Sequence, residues 1–569
     1  MFEPMNAFSL VRFQSVAAAA LFFIAPTPSL QQNADVAAAH RKAVRAQSEF
    51  ELYRRQSLPV REIDSRQHEC DARIGRFCQW NSIDDTIPPA EPRGIRKGRT
   101  SLLKTLDGLA VRAPNDGWIA GQRVRYLLES SNDSAAIAVA RSCTAQEWWC
   151  AALLGLALHE DRQGLGADSA FAHALGTMPA AERCKWTDMS LVLNAAQRKR
   201  LGNVGCGQNE DLAARLWWLS DPFLSIPGNE RQAEHFARHT MALILQPTKI
   251  VYNLRWADDL REMVVRYGWA RYWTRGPGSV LDAYGGAVSG HEATPNYHFV
   301  PASWRVDSLP SITFDLDQQR SAERYAPEIA ARLKELDPQI AAFRRGDSVE
   351  VVAAFDVTND RDLDSAGVSS SLVLVADEKT PAAVVSMTGP KGSLSLRADA
   401  RPQLLSLEIV RPDTRHAGWK RAGIWLAPKP AGALALSDVL MFEPGTAEVR
   451  ELSQALPTAL GSNVASRAKL GIYWEVYGLA KADSALPMSL TLTRIDQGPL
   501  ERLGQAIGVS PRVNPLSISW RENPTLGSIT TRSVILDLSL IPRGKYSLRV
   551  EATPSSQAPA STTRIIEIR

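Results

Sequence analysis

Near Ser348 the chain changes its hydrophobic period, and no other feature restricts its fold as much. Val349, Val351, Ala353, Phe355 and Val357 alternate with Glu350 and Asp356. Leu405, Leu407 and Ile409 alternate with Ser406 and Glu408 in the same way. A period of two puts one face of a strand in a core and the other in water, as antiparallel sheets do. Short strands separated by Pro, Gly and Asp turns predict a sandwich.

A second module opens near Leu470, where Ile472, Trp474 and Val476 alternate with Tyr473, Glu475 and Tyr477. Leu536, Leu538 and Leu540 follow, then the turn Pro542-Arg543-Gly544-Lys545 and strands through Tyr546, Leu548, Val550, Ile566 and Ile568. That turn before a late strand looks like an immunoglobulin-like domain.

Upstream the period is helical. Between Asp116 and Leu201 the chain is rich in Ala, Leu and Trp at helical spacing. Leu154-Gly155, Ala167, Phe171, Ala174 and Pro179 fall close to the offsets of a tetratricopeptide repeat, in which small residues let two antiparallel helices approach. Weaker units run through Gly121, Tyr126 and Ala140, and through Trp186 and Leu191. Trp148 and Trp149 read as core. The charged segment Ser321–Arg345 reads as a helix broken at Pro338 that bridges the two halves. The expected fold class is multidomain α+β, with N-terminal α-helical, tetratricopeptide-like hairpins and C-terminal all-β immunoglobulin-like sandwich modules.

At 569 residues the chain is too long for one core. A formal net charge of +4 gives no reason to expect nucleic acid. The densest basic run, Arg93, Arg96, Lys97, Arg99 and Lys104, reads as a solvated loop. Arg12, the short apolar run Val16–Ala25 and the polar PTPSLQQ after it have the parts of a secretory signal. No later stretch is long and apolar enough for a membrane helix, so no span is expected after signal removal. An exported chain favours disulfides, and sequence order suggests Cys70 with Cys78, Cys143 with Cys150, and Cys184 with Cys206. Six thiols allow about fifteen pairings, which sequence alone leaves open.

One stretch suggests a lineage. Trp217-Trp218, Asp221-Pro222, Pro227, Asn229-Glu230 and the helix carrying Arg238 are followed by Tyr267-Gly268-Trp269. This order resembles the GWxTD domain of exported bacterial proteins, a family without established chemistry, over Leu212 to Trp304. The chain departs from it where the family has Thr-Asp, carrying Arg271-Tyr272 instead. The segments LALSDVLMF and IYWEVYGL also look like β-modules found behind such domains. The expected division is a signal peptide at 1–29, an N-terminal segment with linker at 30–110 and a helical hairpin domain at 111–210. A GWxTD-like region at 211–310, a helical linker at 311–345 and two sandwiches at 346–445 and 446–569 complete it.

Candidate chemistry is sparse. His235 and His239 stand four apart on a predicted helix, but no general-base carboxylate lies between them as in H-E-x-x-H, so they read as structural. The loop Asp356–Asp364 is rich in oxygen ligands but lacks the EF-hand pattern, and it reads as an acidic turn. Gly-x-Ser-x-Gly, a Walker loop and G-x-G-x-x-G opening a βαβ unit are absent. No catalytic residue, metal site or cofactor is therefore expected. The segment Gly290–Phe299 is dense in polar and aromatic residues, and candidate binding residues are Trp269, Trp273, His291 and His298. With Arg261–Trp273 taken as one helix, Trp269 and Trp273 share a face, and Trp269 is a buried anchor. The expected protein is a non-enzymatic envelope protein whose partners are other envelope proteins. Its rivals are a glycan- or peptide-binding module using the Trp-rich segment, and a hydrolase centred on His291 and His298.

Overall fold

The computed structural model describes residues 30–61, 72–79, 90–202, 204–277, 286–291, 297–301, 323–327, 329–426, 429–430, 432–480, 485–496, 515–522 and 529–569. The expected signal peptide, Cys70 and most of the segment between His291 and His298 lie outside them.

Helices fill the N-terminal half: α1 Leu30–Gln56, α2 Arg93–Ala110, α3 Gly117–Leu128, α4 Asp133–Arg141, α5 Glu147–Glu160 and α6 Gly164–Thr177. Helices α7 Ala180–Thr187, α8 Ala195–Leu201, α9 Glu210–Ser220, α10 Glu230–Leu245 and α11 Asp258–Tyr267 continue the series. The sequence makes α5 apolar almost all round, and a helix of that kind belongs inside. Ala151, Ala152, Leu153 and Gly155 through His159 are all buried. Helices α5 and α6 form the expected close hairpin. Gly155 is what permits it, since a Cβ there would lie 2.7 Å from the Phe171 ring. Helix α6 ends just before Pro179, as the repeat spacing predicts.

The basic run is helix α2 rather than a loop. Ile95, Leu102, Leu106 and Leu109 form a buried stripe that draws it onto α1. Arg99 on that helix is itself buried and bound by both oxygens of Glu91, at 2.8 and 2.6 Å. A disulfide joins Cys143 after α4 to Cys150 in α5, and another joins Cys184 in α7 to Cys206 before α9. Cys78 is also disulfide-bonded. Among the described residues no helix is long and apolar enough to cross a membrane.

Two short antiparallel pairs sit beside the helices, β1 Ala72–Ile74 with β2 Phe77–Gln79, and β3 Tyr272–Arg275 with β4 Val288–His291. The segment expected as a bridging helix is instead extended, as β5 Arg332–Glu335 and β6 Gln339–Arg345. Its helix-like composition is overridden by sheet partners. Leu333, Ala341 and Phe343 are buried in those pairings, and the Gln339 amide bonds both Met441 N and Met441 O.

The first sandwich packs a three-stranded sheet on a five-stranded one. The smaller sheet orders β10 Lys391–Asp399, β7 Ser348–Asp356 and β6. The larger orders β5, β12 His416–Ile424, β11 Gln403–Arg411, β8 Ser369–Val375 and β9 Ala383–Thr388, with β5 parallel to β12. Val351, Ala353, Phe355, Leu405, Leu407 and Ile409 form the core between them, as the alternation predicts.

In the second sandwich, β16 Lys469–Tyr477 pairs with β13 Ala435–Leu436, β14 Leu440–Phe442 and β19 Ile529–Asp537. The segments LALSDVLMF and IYWEVYGL are thus sheet neighbours. The facing sheet orders β15 Val464–Ala465, β21 Ala560–Ile568, β20 Gly544–Ala552, β17 Leu486–Arg494 and β18 Leu516–Glu522. Tyr546 Oη donates to Pro542 O at 2.8 Å, closing the turn that the sequence marks. Leu540, expected as a strand residue, is 89% exposed beyond β19.

On β11 the side expected to face water is buried. Ser406 and Glu408 on β11 are buried, as are Trp419 and Arg421 on β12. Helical-half residues cover that face: Phe223, Tyr297, Phe299 and Tyr325 pack on Leu333, Val410, Ala417 and Trp419. Glu408 accepts from Leu224 N at 2.9 Å and Ser225 N at 3.0 Å. Arg421 donates to Pro222 O at 3.0 Å and Leu219 O at 3.5 Å. The two sandwiches are joined similarly, with Arg345 bidentate on Glu475 at 2.6 and 3.0 Å beside Tyr473 and Tyr477.

Candidate functional site

Helix α10 gathers the ionisable side chains. Asn229 caps it, its side-chain oxygen accepting from Gln232 N at 2.9 Å. Arg231, Glu234 and Arg238 then recur at helical spacing along one face. Glu234 is held from two sides, by His159 Nε2 from the end of α5 at 2.7 Å and by Arg238 Nε at 2.5 Å. Arg238 also donates to the carbonyls of Val265 (3.3 Å), Arg266 (2.8 Å) and Arg324 (2.6 Å). It thereby fixes the end of α11 to a distant segment.

Burial alone would lower the His159 pKa, but the hydrogen bond and charge of Glu234 lift it to about 9. Burial alone would raise Glu234, but Arg238 and His159 hold it well below the usual carboxylate range. At neutral pH His159 is therefore an imidazolium and Glu234 a carboxylate. Beside it opens a cleft of about 30 Å³ walled by His159, Glu234, Arg238, Trp269, Arg271 and Tyr325. Trp269 is half-buried against the helical core, with the Arg271 guanidinium 4.9 Å from its ring centroid. Arg271 is itself bidentate on Glu160 at 2.6 and 3.1 Å.

The four residues singled out from the sequence do not converge on this cleft. Helix α11 stops at Tyr267, and Gly268 turns the chain with φ +78°, so Trp269 and Trp273 do not share a helix face. Trp273 lies on β3 and packs toward α1, with Arg54 5.0 Å from its ring centroid. His291 on β4 stacks on Tyr272 at 4.6 Å and bonds Thr274 Oγ1 at 2.7 Å. His298 bonds Glu323 at 3.2 Å, and Glu323 also pairs with the fully buried Arg231. Only Trp269 lines the cleft.

His235 and His239 are buried with ring centroids 4.7 Å apart. Burial holds His235 far below its usual pKa and His239 at about 3, so both are neutral. His235 donates through Nε2 to Trp186 O at 3.0 Å. Among the described residues no group of three His, Cys, Asp or Glu side chains is placed to hold a metal ion. The Asp356–Asp364 loop is an acidic turn closed by lysines, Lys391 on Asp356 at 3.1 Å and Lys334 on Asp360.

Sequence reasoning missed His159, although an ionisable residue closing an otherwise apolar helix is a readable signal. It also placed Trp148 and Trp149 in the core. They are half-buried and line, with Trp118, an open groove of about 350 Å³ between α3 and α5. The rest of the lining includes Asn115, Gln122 and Gln146, and among the described residues none of its side chains is ionisable.

Fold and site define a class: a helical layer with a cationic cleft, fused to two tandem β-sandwiches. No family model matches this chain, and no curated protein does. Among solved structures, a chicken CNTN1 fragment of domains FN1–FN3 is 12% identical with a TM-score of 0.16, covering 42% of this chain and 68% of that one. A putative β-galactosidase from Bacteroides fragilis is 8% identical with a TM-score of 0.15, covering 40% of this chain and 34% of that one. A Bacteroides uniformis β-glucuronidase is 12% identical with a TM-score of 0.16, covering 39% and 26%. Likeness at this level carries no argument about function.

Proposed function

We propose that this chain is an exported envelope protein that works by contacting other envelope proteins and has no catalytic activity. The state of the Glu234 cluster carries the reading. A general acid or base works best when it titrates near the operating pH. Glu234 and the pair His235 and His239 lie far below that range, and His159 lies above it. The cluster's remaining hydrogen bonds go to main-chain carbonyls, which is what a structural clamp requires. The disulfides support export. The likeness of Trp217–Trp269 to the GWxTD domain supports the same setting. Cross-linking of the full-length protein in its native envelope should recover stable protein partners. A hydrolytic activity abolished by Glu234→Gln in a folded variant would overturn the reading.

A second reading, a module for neutral glycans, is favoured by the Trp118, Trp148 and Trp149 groove. Aromatic faces beside amide side chains, without charge, suit the apolar faces and hydroxyls of sugars. Saturable binding of neutral oligosaccharides that is lost in Trp148→Ala would promote it over the first.

A further inference from the structure

We propose that the cleft beside Trp269 is a binding site for a small carboxylate, held by Arg238, Tyr325 and the His159 side. The inference rests on reading the protein as a binder rather than a catalyst. Charge comes first. Arg271 is answered by Glu160, but the walls still carry His159 and Arg238 against one wall carboxylate, Glu234, so an anion entering the cleft is favoured. His159 is an imidazolium at neutral pH because Glu234 holds its proton, so the surplus persists there.

Donors come second. A guanidinium has five N–H groups. Arg238 directs Nε at Glu234, Nη1 at the Val265 and Arg266 carbonyls, and Nη2 at Arg324 O, which leaves one Nη2 N–H uncommitted. Tyr325 lines the same cleft, is 3% exposed, and its hydroxyl has no hydrogen-bond partner. A buried hydroxyl without a partner is costly, and an acceptor in the cleft relieves that cost.

Size comes third. A cleft of about 30 Å³ admits roughly two water-sized groups. That is the footprint of the two carboxylate oxygens; a tetrahedral phosphate presents four. Gly268 borders the guanidinium, where a Cβ would lie 3.6 Å from Arg238 Nη2, so the backbone leaves this side open. Trp269 offers an apolar wall for a short carbon stem.

The test uses the full-length protein at pH 7 and constant ionic strength, with sodium acetate and sodium phosphate as probes. Saturation-transfer NMR and thermal unfolding are read for the wild type and Tyr325→Phe. Acetate should bind saturably and phosphate much more weakly. Tyr325→Phe should weaken acetate binding about tenfold. Its ligand-free melting temperature should hold, because the lost hydroxyl has no partner. Absence of saturable acetate binding, phosphate binding as tight as acetate, or wild-type acetate affinity in Tyr325→Phe would each overturn the inference. Turnover of acyl esters with intact acetate binding would overturn the non-catalytic reading instead, leaving this site standing.

Discussion

His159 shows how one residue ties stability to pH. Its folded pKa of about 9 exceeds the ordinary value of 6.5. A raised pKa contributes stability that is fully present below the unfolded value and is lost as pH rises through the folded one. The window therefore runs from 6.5 to about 9, and across it the protein should lose ~3 kcal/mol. Urea melts of the wild type should show that decline, and His159→Gln should flatten it. At Gly155 the constraint is steric. A Cβ 2.7 Å from the Phe171 ring forces the α5–α6 hairpin apart, and overpacking of this kind costs ~1–3 kcal/mol. Gly155→Ala should lower the melting temperature, and adding Phe171→Leu should recover part of the loss. Trp269 illustrates what the sequence could not tell. Gly268 before it turns the chain, but whether the ring is core or cleft wall depends on Tyr325, which comes to the cleft from a distant segment.

Among elements, those with a local cause were legible. The α5–α6 hairpin follows from Gly155, Ala167, Phe171 and Pro179, and the sandwich cores from period-two runs. The Cys143–Cys150 staple followed from sequence order and proximity. Closing so short a loop restricts the unfolded chain by ~2–3 kcal/mol. A Cys143→Ala, Cys150→Ala double variant should lose about that much in chemical denaturation, and a loss near zero would show that the staple constrains nothing. Elements set by distant partners were misread. The Arg93–Ala110 run looked solvated because its charges are adjacent in sequence, while its apolar stripe is spread over several turns. The segment after Ser321 looked helical because Gln339, Ala341 and Phe343 find their partners on other strands, some a hundred residues away. No local propensity reports such pairings. The Glu234 clamp was hidden likewise: its members come from α5, α10 and the end of α11, and only the folded chain brings them together.

In the whole molecule, the seam between helices and first sandwich replaces the water-facing strand side that alternation implied. Glu408 and Arg421 are fully buried in it and within 3.6 Å of each other. Removing one partner of a buried pair leaves an uncompensated charge, at ~3–5 kcal/mol. Glu408→Ala should therefore be much more damaging than an exposed charge deletion such as Glu448→Ala, judged by differential scanning calorimetry. A fragment starting at Arg332 should bind hydrophobic dyes and unfold with poor cooperativity, because Val410, Ala417 and Trp419 lose their cover. Independent, cooperative folding of that fragment would show that the seam is dispensable. The seam has an evolutionary corollary. Glu408 and Arg421 grip the peptide groups of Leu219, Pro222, Leu224 and Ser225, not their side chains. The docked loop can accept many substitutions so long as its path is kept, and the joint's demands fall on few letters of the chain. Two relatives could thus keep the same joint while their loops drift past recognition by any comparison of sequences.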